Sequence, residues 1–177
     1  MGQYYHVYTK NNAEELAWSS QCTNFVETRN FDWFIGHKLT EHSWYGNMLT
    51  DAVSAYIYKN PTQLAWVGDY ARDAEVYNKC WANDDYTGLY HFTVNDGFDY
   101  TGKWAVNHTT KEAFPMQNPN PDEWIRYPIS ILTAIGNGQG GGDYSGCNSM
   151  VGKWAMHVIS IEDEAPKDYQ VIPTPDF

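Results

Sequence analysis

The chain has 177 residues, of which 42% are hydrophobic and 16% aromatic, and its formal net charge is −11. This length and apolar content predict a single folded domain over residues 1–177 and exclude an intrinsically disordered chain. The acidic balance argues against a nucleic-acid backbone or an anionic membrane as the main partner, because both attract clustered Lys and Arg.

The cysteines and the N-terminal residues indicate the cellular compartment of the protein. The three cysteines, Cys22, Cys80 and Cys147, form no CxxC pair, and their odd number favours reduced thiols. The N-terminus has no apolar leader, and no apolar run reaches the length of a membrane span. We therefore predict a cytoplasmic protein, with no membrane partner.

The N-terminal part begins with a strand and continues with an aromatic layer. Residues 3–9 (QYYHVYT) are aromatic and β-branched and predict a strand, followed by a turn at 10–12. Residues 13–18 fit a short helix or a returning hairpin strand, and their short length favours the hairpin. Residues 19–45 are irregular and rich in Phe and Trp, so we expect them to cover the sheet.

The clearest helix is predicted over residues 47–59. Apolar residues recur there with helical spacing: Met48, Leu49, Ala52, Val53, Tyr56 and Ile57. Asn60-Pro61 ends this helix, because the residue before proline avoids helical geometry. Residues 63–70 then predict a buried strand that turns at Gly68-Asp69.

The middle of the chain predicts further strands. A polar connection over 71–87 leads to a strand over 89–94, and residues 103–107 and 112–116 predict a hairpin that turns at 108–111. Together with the helix, these strands predict an α+β fold: a mainly antiparallel, twisted sheet of about five to seven strands with the 47–59 helix on one face.

The C-terminal part contains one ambiguous segment. Residues 128–135 begin with Pro128 and precede Gly136, which is typical of a helix, but their β-branched residues favour a strand. We favour a short buried helix. Residues 151–161 predict a strand, and the proline-rich tail from about residue 163 is expected to fray.

Glycines dominate the stretch that follows residues 128–135. Five glycines lie between Gly136 and Gly142, and Asp143 follows them. A Walker-type phosphate loop is excluded because no Lys-Ser/Thr follows, and a dinucleotide fingerprint is disfavoured. Exposed backbone N–H groups would still suit a neutral ligand, whereas the alternative is a purely conformational loop. The candidate ligand-binding residues are Asn137, Gly138, Gln139, Gly140, Gly141, Gly142, Asp143, Tyr144 and Trp154.

Two carboxylates and two histidines are candidates for acid–base chemistry. Asp69 and Asp143 each follow a strand-like run within Gly-Asp-Tyr, and a shared sheet edge would bring them together with His108 or His157. The competing interpretation, which we favour, is that each Asp accepts hydrogen bonds from its own turn. The histidine spacing fits no zinc motif, so we predict no metal and no cofactor.

The tetrapeptide Gly-Lys-Trp-Ala occurs twice, at 102–105 and at 152–155. We interpret the two copies as glycine turns before aromatic segments rather than as a duplication.

Four groups of segments carry a resemblance to a known family: MGQYY; HKLTEHSWYGN followed by AWVGDYA; VNHTTKEAF; and GNGQGGGDY with VGKWA. Over most of its length the chain resembles a family of small, uncharacterised proteins common in bacterial and prophage genomes. Relatives often carry Arg at the position of Gln139 and a charged pair at the positions of Met156 and His157. We therefore assign to this chain no role that would depend on those charges. The order of segments suggests a permuted sheet. The resemblance implies a phage or mobile-element setting and no mechanism.

These observations predict a non-enzymatic cytoplasmic binding protein of phage type, with a role in counter-defence. It would capture a small polar ligand, such as a nucleotide signal, at the glycine loop, or block a host protein through an acidic aromatic surface. One alternative is a hydrolase that uses Asp69 and Asp143 with His108 or His157. Another is a carbohydrate-binding module that uses exposed Trp and Tyr side chains.

Overall fold

The computed structural model describes residues 4–11, 21–22, 38–71, 97–117, 123–136 and 149–177. Within these ranges the strands are β1 (Tyr5–Asn11), β2 (Gln21–Cys22), β3 (Thr62–Gly68), β4 (Trp104–Asn107), β5 (Glu112–Pro115), β6 (Ala134–Ile135), β7 (His157–Glu162) and β8 (Gln170–Val171). The helices are α1 (Leu39–His42), α2 (Met48–Ile57) and α3 (Pro128–Leu132). The predicted α+β fold is confirmed.

The described strands form one sheet in the order β2-β1-β3-β7-β4-β5-β8, and β6 pairs with β3 beside this path. Every neighbouring pair is antiparallel except β3 with β6 and β5 with β8. The mainly antiparallel character is therefore confirmed, and so is the predicted hairpin, which forms β4 and β5.

Helix α2 begins after a capping residue, Asn47. The Asn47 side chain accepts a hydrogen bond from the Leu49 N–H at 2.9 Å, which satisfies one of the free donors of the first turn. Val53 and Ile57 are fully buried in the main core, so the apolar stripe faces the sheet. The helix ends before Lys59, whose φ of 53° is incompatible with helical geometry.

Strand β3 lies in the middle of the sheet and is buried on both faces. Leu64 and Trp66 belong to the main core with the helices, whereas Ala65 and Val67 belong to a smaller cluster with Tyr8. Successive side chains of a strand point to opposite faces, so the main core lies on one side of the sheet and the small cluster on the other.

Residues 128–135, for which the sequence left helix and strand open, contain both a helix and a strand. Helix α3 covers the first five residues, which are all buried. The Thr133 hydroxyl donates to the Ile129 carbonyl at 2.8 Å at the end of the helix, and β6 then pairs in parallel with Trp66 and Val67. The favoured short helix is confirmed, although it contains the β-branched Ile129 and Ile131, and the strand is limited to Ala134 and Ile135.

Three boundary predictions are corrected. Strand β7 starts only at His157, because residues 149–156 form turns in which Gly152 and Met156 have φ of 72° and 62°. Lys10 and Asn11 belong to β1 and not to a turn. The tail, expected to fray, instead lies along the sheet edge: Ile172 N donates to the Ala113 carbonyl, and the Thr174 hydroxyl donates to the Pro115 carbonyl. Prolines are tolerated in this tail because it lies at the edge of the sheet, where a missing backbone N–H on the outer side costs no ladder hydrogen bond.

Other predictions fall outside the described residues. These are the assignments for residues 13–18, for most of 19–37, for the connection and strand between 72 and 96, and for the glycine loop from 137 onwards. Among the helices that the structure describes, none has the length and apolar character needed to cross a lipid bilayer.

Candidate functional site

The predicted glycine-loop site is represented in the structure by one residue. Residues 137–144 lie outside the described ranges, and Trp154 has no exposed surface. Its ring packs against Phe114 with 5.3 Å between centroids, and its indole N–H donates to a Glu112 carboxylate oxygen at 3.1 Å. Trp154 is therefore a core residue whose ring is covered by the fold, and a ligand site at residues 137–144 stays a prediction.

Gly152, two residues before Trp154, is required by the fold. Gly152 donates its N–H to the Ile131 carbonyl, and a Cβ at this position would lie 2.6 Å from the Ala134 carbonyl oxygen. Gly102, in the other Gly-Lys-Trp-Ala copy, also has positive φ, at 67°. Both copies thus begin with a glycine turn, in agreement with the interpretation of the repeat.

Asp69 holds two strands together. Its carboxylate accepts a hydrogen bond from the Tyr4 N–H at 3.1 Å, and its own N–H donates to the Tyr4 carbonyl at 2.8 Å. The carboxylate thus closes the end of the β1–β3 pair, and the bond it accepts within the described residues comes from the neighbouring chain segment. Its function in the described structure is architectural.

The histidines lie far from Asp69 along the sheet. His157 pairs with Leu64 of β3, five residues before Asp69, which corresponds to roughly 17 Å at the rise of a strand. His108 is one step further away, since its N–H donates to the carbonyl of Val158, the partner of Gln63. Neither histidine can exchange a proton directly with Asp69, and Asp143 lies outside the described residues.

His108 lies in a hydrogen-bonded chain that uses both ring nitrogens. Its Nε2 is 2.8 Å from the Ser160 hydroxyl and its Nδ1 is 3.0 Å from the Tyr169 hydroxyl. Ser160 donates its proton to Glu162 at 2.6 Å, so Nε2 carries a hydrogen and donates to Ser160, while Nδ1 accepts from Tyr169.

This arrangement is not that of a nucleophile and its base. A base would have to accept the serine proton, but the nitrogen that faces Ser160 is itself the donor. Ser160 is also fully buried. Burial lowers the pKa of His108, which favours the neutral ring that this pattern requires. The chain of bonds attaches the C-terminal segment, through Tyr169, to the β4–β5 turn.

A second polar network lies inside the core. The Tyr100 hydroxyl donates to the Asp51 carboxylate at 2.7 Å, and Ser54 bonds to the hydroxyls of Tyr100 and Tyr127 at 3.1 and 2.8 Å. Burial raises the pKa of Asp51. The network joins α2 to two segments that are distant in sequence, so its role is structural.

The described residues also line a cavity of about 370 Å³. Its walls come from four segments: α1 with the residues just after it, Gln117 after β5, residues 124–126, and residues 175–177. Trp44 and Trp124 are its aromatic side chains, together with Phe177. We call it the tryptophan cavity.

Backbone pairing holds the two tryptophans together. Residue 44 bridges residue 126 in antiparallel fashion, the Tyr45 N–H donates to the Ile125 carbonyl, and the Tyr127 N–H donates to the Ser43 carbonyl, each at 3.0 Å. The Trp44 and Trp124 rings have centroids 4.9 Å apart and planes inclined by 34°. Trp124 is 79% exposed, the highest value for a large hydrophobic side chain among the described residues.

Charged and polar groups surround the aromatic pair. Glu41, Asp176 and Arg126 line the cavity, and Gln117 contributes an amide. Glu41 also forms an ion pair with Lys38 at 2.9 Å. Hydrogen-bonding groups around an aromatic surface suit ligand binding. In the part of the chain that the structure describes, no three His, Cys, Asp or Glu side chains come together as metal ligands.

Sequence reasoning did not identify this cavity. It placed Trp44 in an aromatic covering layer and did not single out Trp124. The available signal was the position of Trp124, which follows the polar run NPNPDE and precedes Ile125. An indole that directly follows a proline-broken polar segment adjoins a loop on its N-terminal side, which favours a surface role.

Comparisons of the chain with models of protein families, with curated proteins and with solved structures found no match. The resemblance to small bacterial and prophage proteins therefore stays a prediction, and the functional argument depends on the geometry of the tryptophan cavity.

Proposed function

We propose that this protein is a non-enzymatic binding protein that captures a small polar ligand in the tryptophan cavity. The observation that carries the proposal is the exposed indole of Trp124, held against Trp44 at a cavity lined by charged groups. A large aromatic surface left in water gains free energy when a flat ligand face covers it.

The dimensions of the cavity support a small-molecule ligand. Its volume of about 370 Å³ lies near the lower end of the range of roughly 300–1,000 Å³ for ligand pockets. Its polar side chains would orient the ligand, while the tryptophan pair would supply the contact area. Of the acid–base groups that we considered for catalysis, Asp69, His108 and His157 do not line this cavity, and Asp143 lies outside the described residues. This placement favours binding over turnover.

The proposal is tested with ligand titrations of the wild type and of Trp124→Ala, followed by calorimetry and intrinsic fluorescence. We expect at least one small polar compound to bind the wild type and to lose about 1 kcal/mol or more of binding free energy in the variant. Tyr70→Ala is the matched control, because Tyr70 is a 48% exposed aromatic residue that does not line the cavity.

Two results would contradict the proposal. One is a ligand that binds the wild type and Trp124→Ala equally well. The other is turnover of a bound compound. Gly140→Val with Gly141→Val tests the separate prediction of a glycine-loop site: loss of binding in that double variant, with Trp124→Ala unaffected, would move the site to the loop.

A further inference from the structure

We propose that the ligand of the tryptophan cavity is an uncharged saccharide, with one pyranose ring stacked on Trp124. This inference rests on the proposed function and specifies its ligand class. Three properties of the cavity carry it: the shape of the aromatic pair, the balance of charges in the lining, and the kind of hydrogen-bonding groups that face the ligand.

The aromatic pair forms a platform. With 4.9 Å between centroids and 34° between planes, Trp44 and Trp124 lie against each other instead of facing each other across a gap. Because Trp124 remains 79% exposed, a ring face stays open to a ligand. A pyranose offers a flat face of C–H groups to such a platform and a rim of hydroxyls to the polar groups around it.

The lining charges disfavour phosphorylated ligands. Among the described lining residues, Glu41 and Asp176 are carboxylates and Arg126 is the one cationic side chain, while Lys38 pairs with Glu41 from outside the lining. Phosphate recognition relies on several Arg, Lys or backbone N–H donors, and the whole chain carries a formal net charge of −11. A nucleotide, expected from the glycine loop, is therefore a poor match for this cavity.

The same geometry disfavours a quaternary ammonium ligand. Cages for such cations place several ring faces around the charge. Here the two indoles lie against each other, so they do not face a common point, and Phe177 is the one further aromatic side chain among the described lining residues. Arg126 adds a positive charge to the same wall.

The remaining groups match hydroxyls. Carboxylates accept, a guanidinium donates, and the Gln117 amide does both. A sugar hydroxyl both donates and accepts, so one ring is chemically compatible with all three kinds of group, including those that already have a protein partner, and it brings no charge into the cavity. The ligand class is thus defined by a stacking face and a neutral, hydroxyl-rich rim.

The test is calorimetry with neutral hexoses, N-acetylhexosamines and their disaccharides, beside AMP, GMP and choline as comparators. We expect a saccharide to bind, its affinity to fall about tenfold or more in Trp124→Ala, and Tyr70→Ala to bind as the wild type does. A parallel pull-down with insoluble polysaccharides distinguishes a free sugar from a polymer-bound one. Far-UV circular dichroism of each variant confirms that it is folded.

The outcomes separate this inference from the proposed function. Binding of AMP, GMP or choline that depends on Trp124, without saccharide binding, overturns the saccharide assignment and leaves the cavity as the ligand site. Binding that ignores Trp124→Ala, or no binding by any compound, overturns both.

Discussion

Replacing Gly152 by alanine should destabilise the protein far more than the same change at Gly102, although both glycines start a Gly-Lys-Trp-Ala segment. Their φ angles, 72° and 67°, are nearly equal. A left-handed conformation costs a residue with a Cβ about 1–2 kcal/mol, partly offset by the lower entropy of the unfolded alanine chain. We expect a net loss of about 1 kcal/mol at Gly102, where a Cβ meets nothing within 4 Å.

Gly152 carries an additional steric cost. The new Cβ would lie 2.6 Å from the Ala134 carbonyl oxygen, so one of them must move by about 0.8 Å to reach ordinary contact. That oxygen belongs to β6, which pairs with the buried centre of β3. Overpacking of this kind costs about 1–3 kcal/mol, which brings the expected loss at Gly152 to about 3 kcal/mol.

Urea unfolding at 25 °C, followed by tryptophan fluorescence and circular dichroism, measures both changes in the free energy of unfolding. Gly152→Ala should lower it by about 2 kcal/mol more than Gly102→Ala does. Equal losses in the two variants, or a loss below about 1 kcal/mol at Gly152, would refute the steric argument and leave the shared φ as the only cost.

Three further predictions concern buried ionisable groups and the tryptophans. Burial raises the pKa of Asp51, so its contribution to stability is present below about pH 4 and is lost as the pH rises through the raised pKa of the folded state. Relative to Asp51→Asn, the wild type should therefore become less stable to urea from pH 4 to pH 7. A difference in the free energy of unfolding between the two proteins that stays constant over this range would contradict the prediction. Burial lowers the pKa of His108, so its contribution is present above about pH 6.5 and is lost as the pH falls through the lowered value. His108→Gln should therefore show a flatter decline in the free energy of unfolding on acidification, and an unchanged slope would argue against it. Trp124→Ala should change the free energy of unfolding by less than about 0.5 kcal/mol because the side chain is exposed, whereas Trp154→Ala should lower it by about 3–5 kcal/mol. Similar losses for the two variants in calorimetric melting would contradict the burial of Trp154 and the exposure of Trp124.

Local patterns predicted the regular elements well where one face of an element is apolar. The helical spacing around Val53 places α2 within two residues of both observed ends. The hairpin of β4 and β5 follows from two strand-like runs around a polar turn. Such signals are contained within about a dozen residues, so they need no knowledge of the rest of the chain.

Predictions failed where distant contacts decide the conformation. The tail has few local signals, but β8 gains partners on the edge of β5, about 58 residues earlier in the chain. Trp154 resembles an exposed aromatic beside a glycine loop, yet Glu112 and Phe114 enclose it. A sequence window does not show whether an indole meets a partner or water.

By itself, the sequence determined the class of fold, the principal helix, the central hairpin and an acidic chain without a zinc spacing, because periodicity, caps and charge are properties of neighbouring residues. Only the tertiary structure decided that Trp154 is buried and Trp124 is exposed. It also brought residues near 44, 125 and 176 around one cavity. Those segments share no local pattern, and their meeting depends on how the sheet edge and the helices pack around a common core.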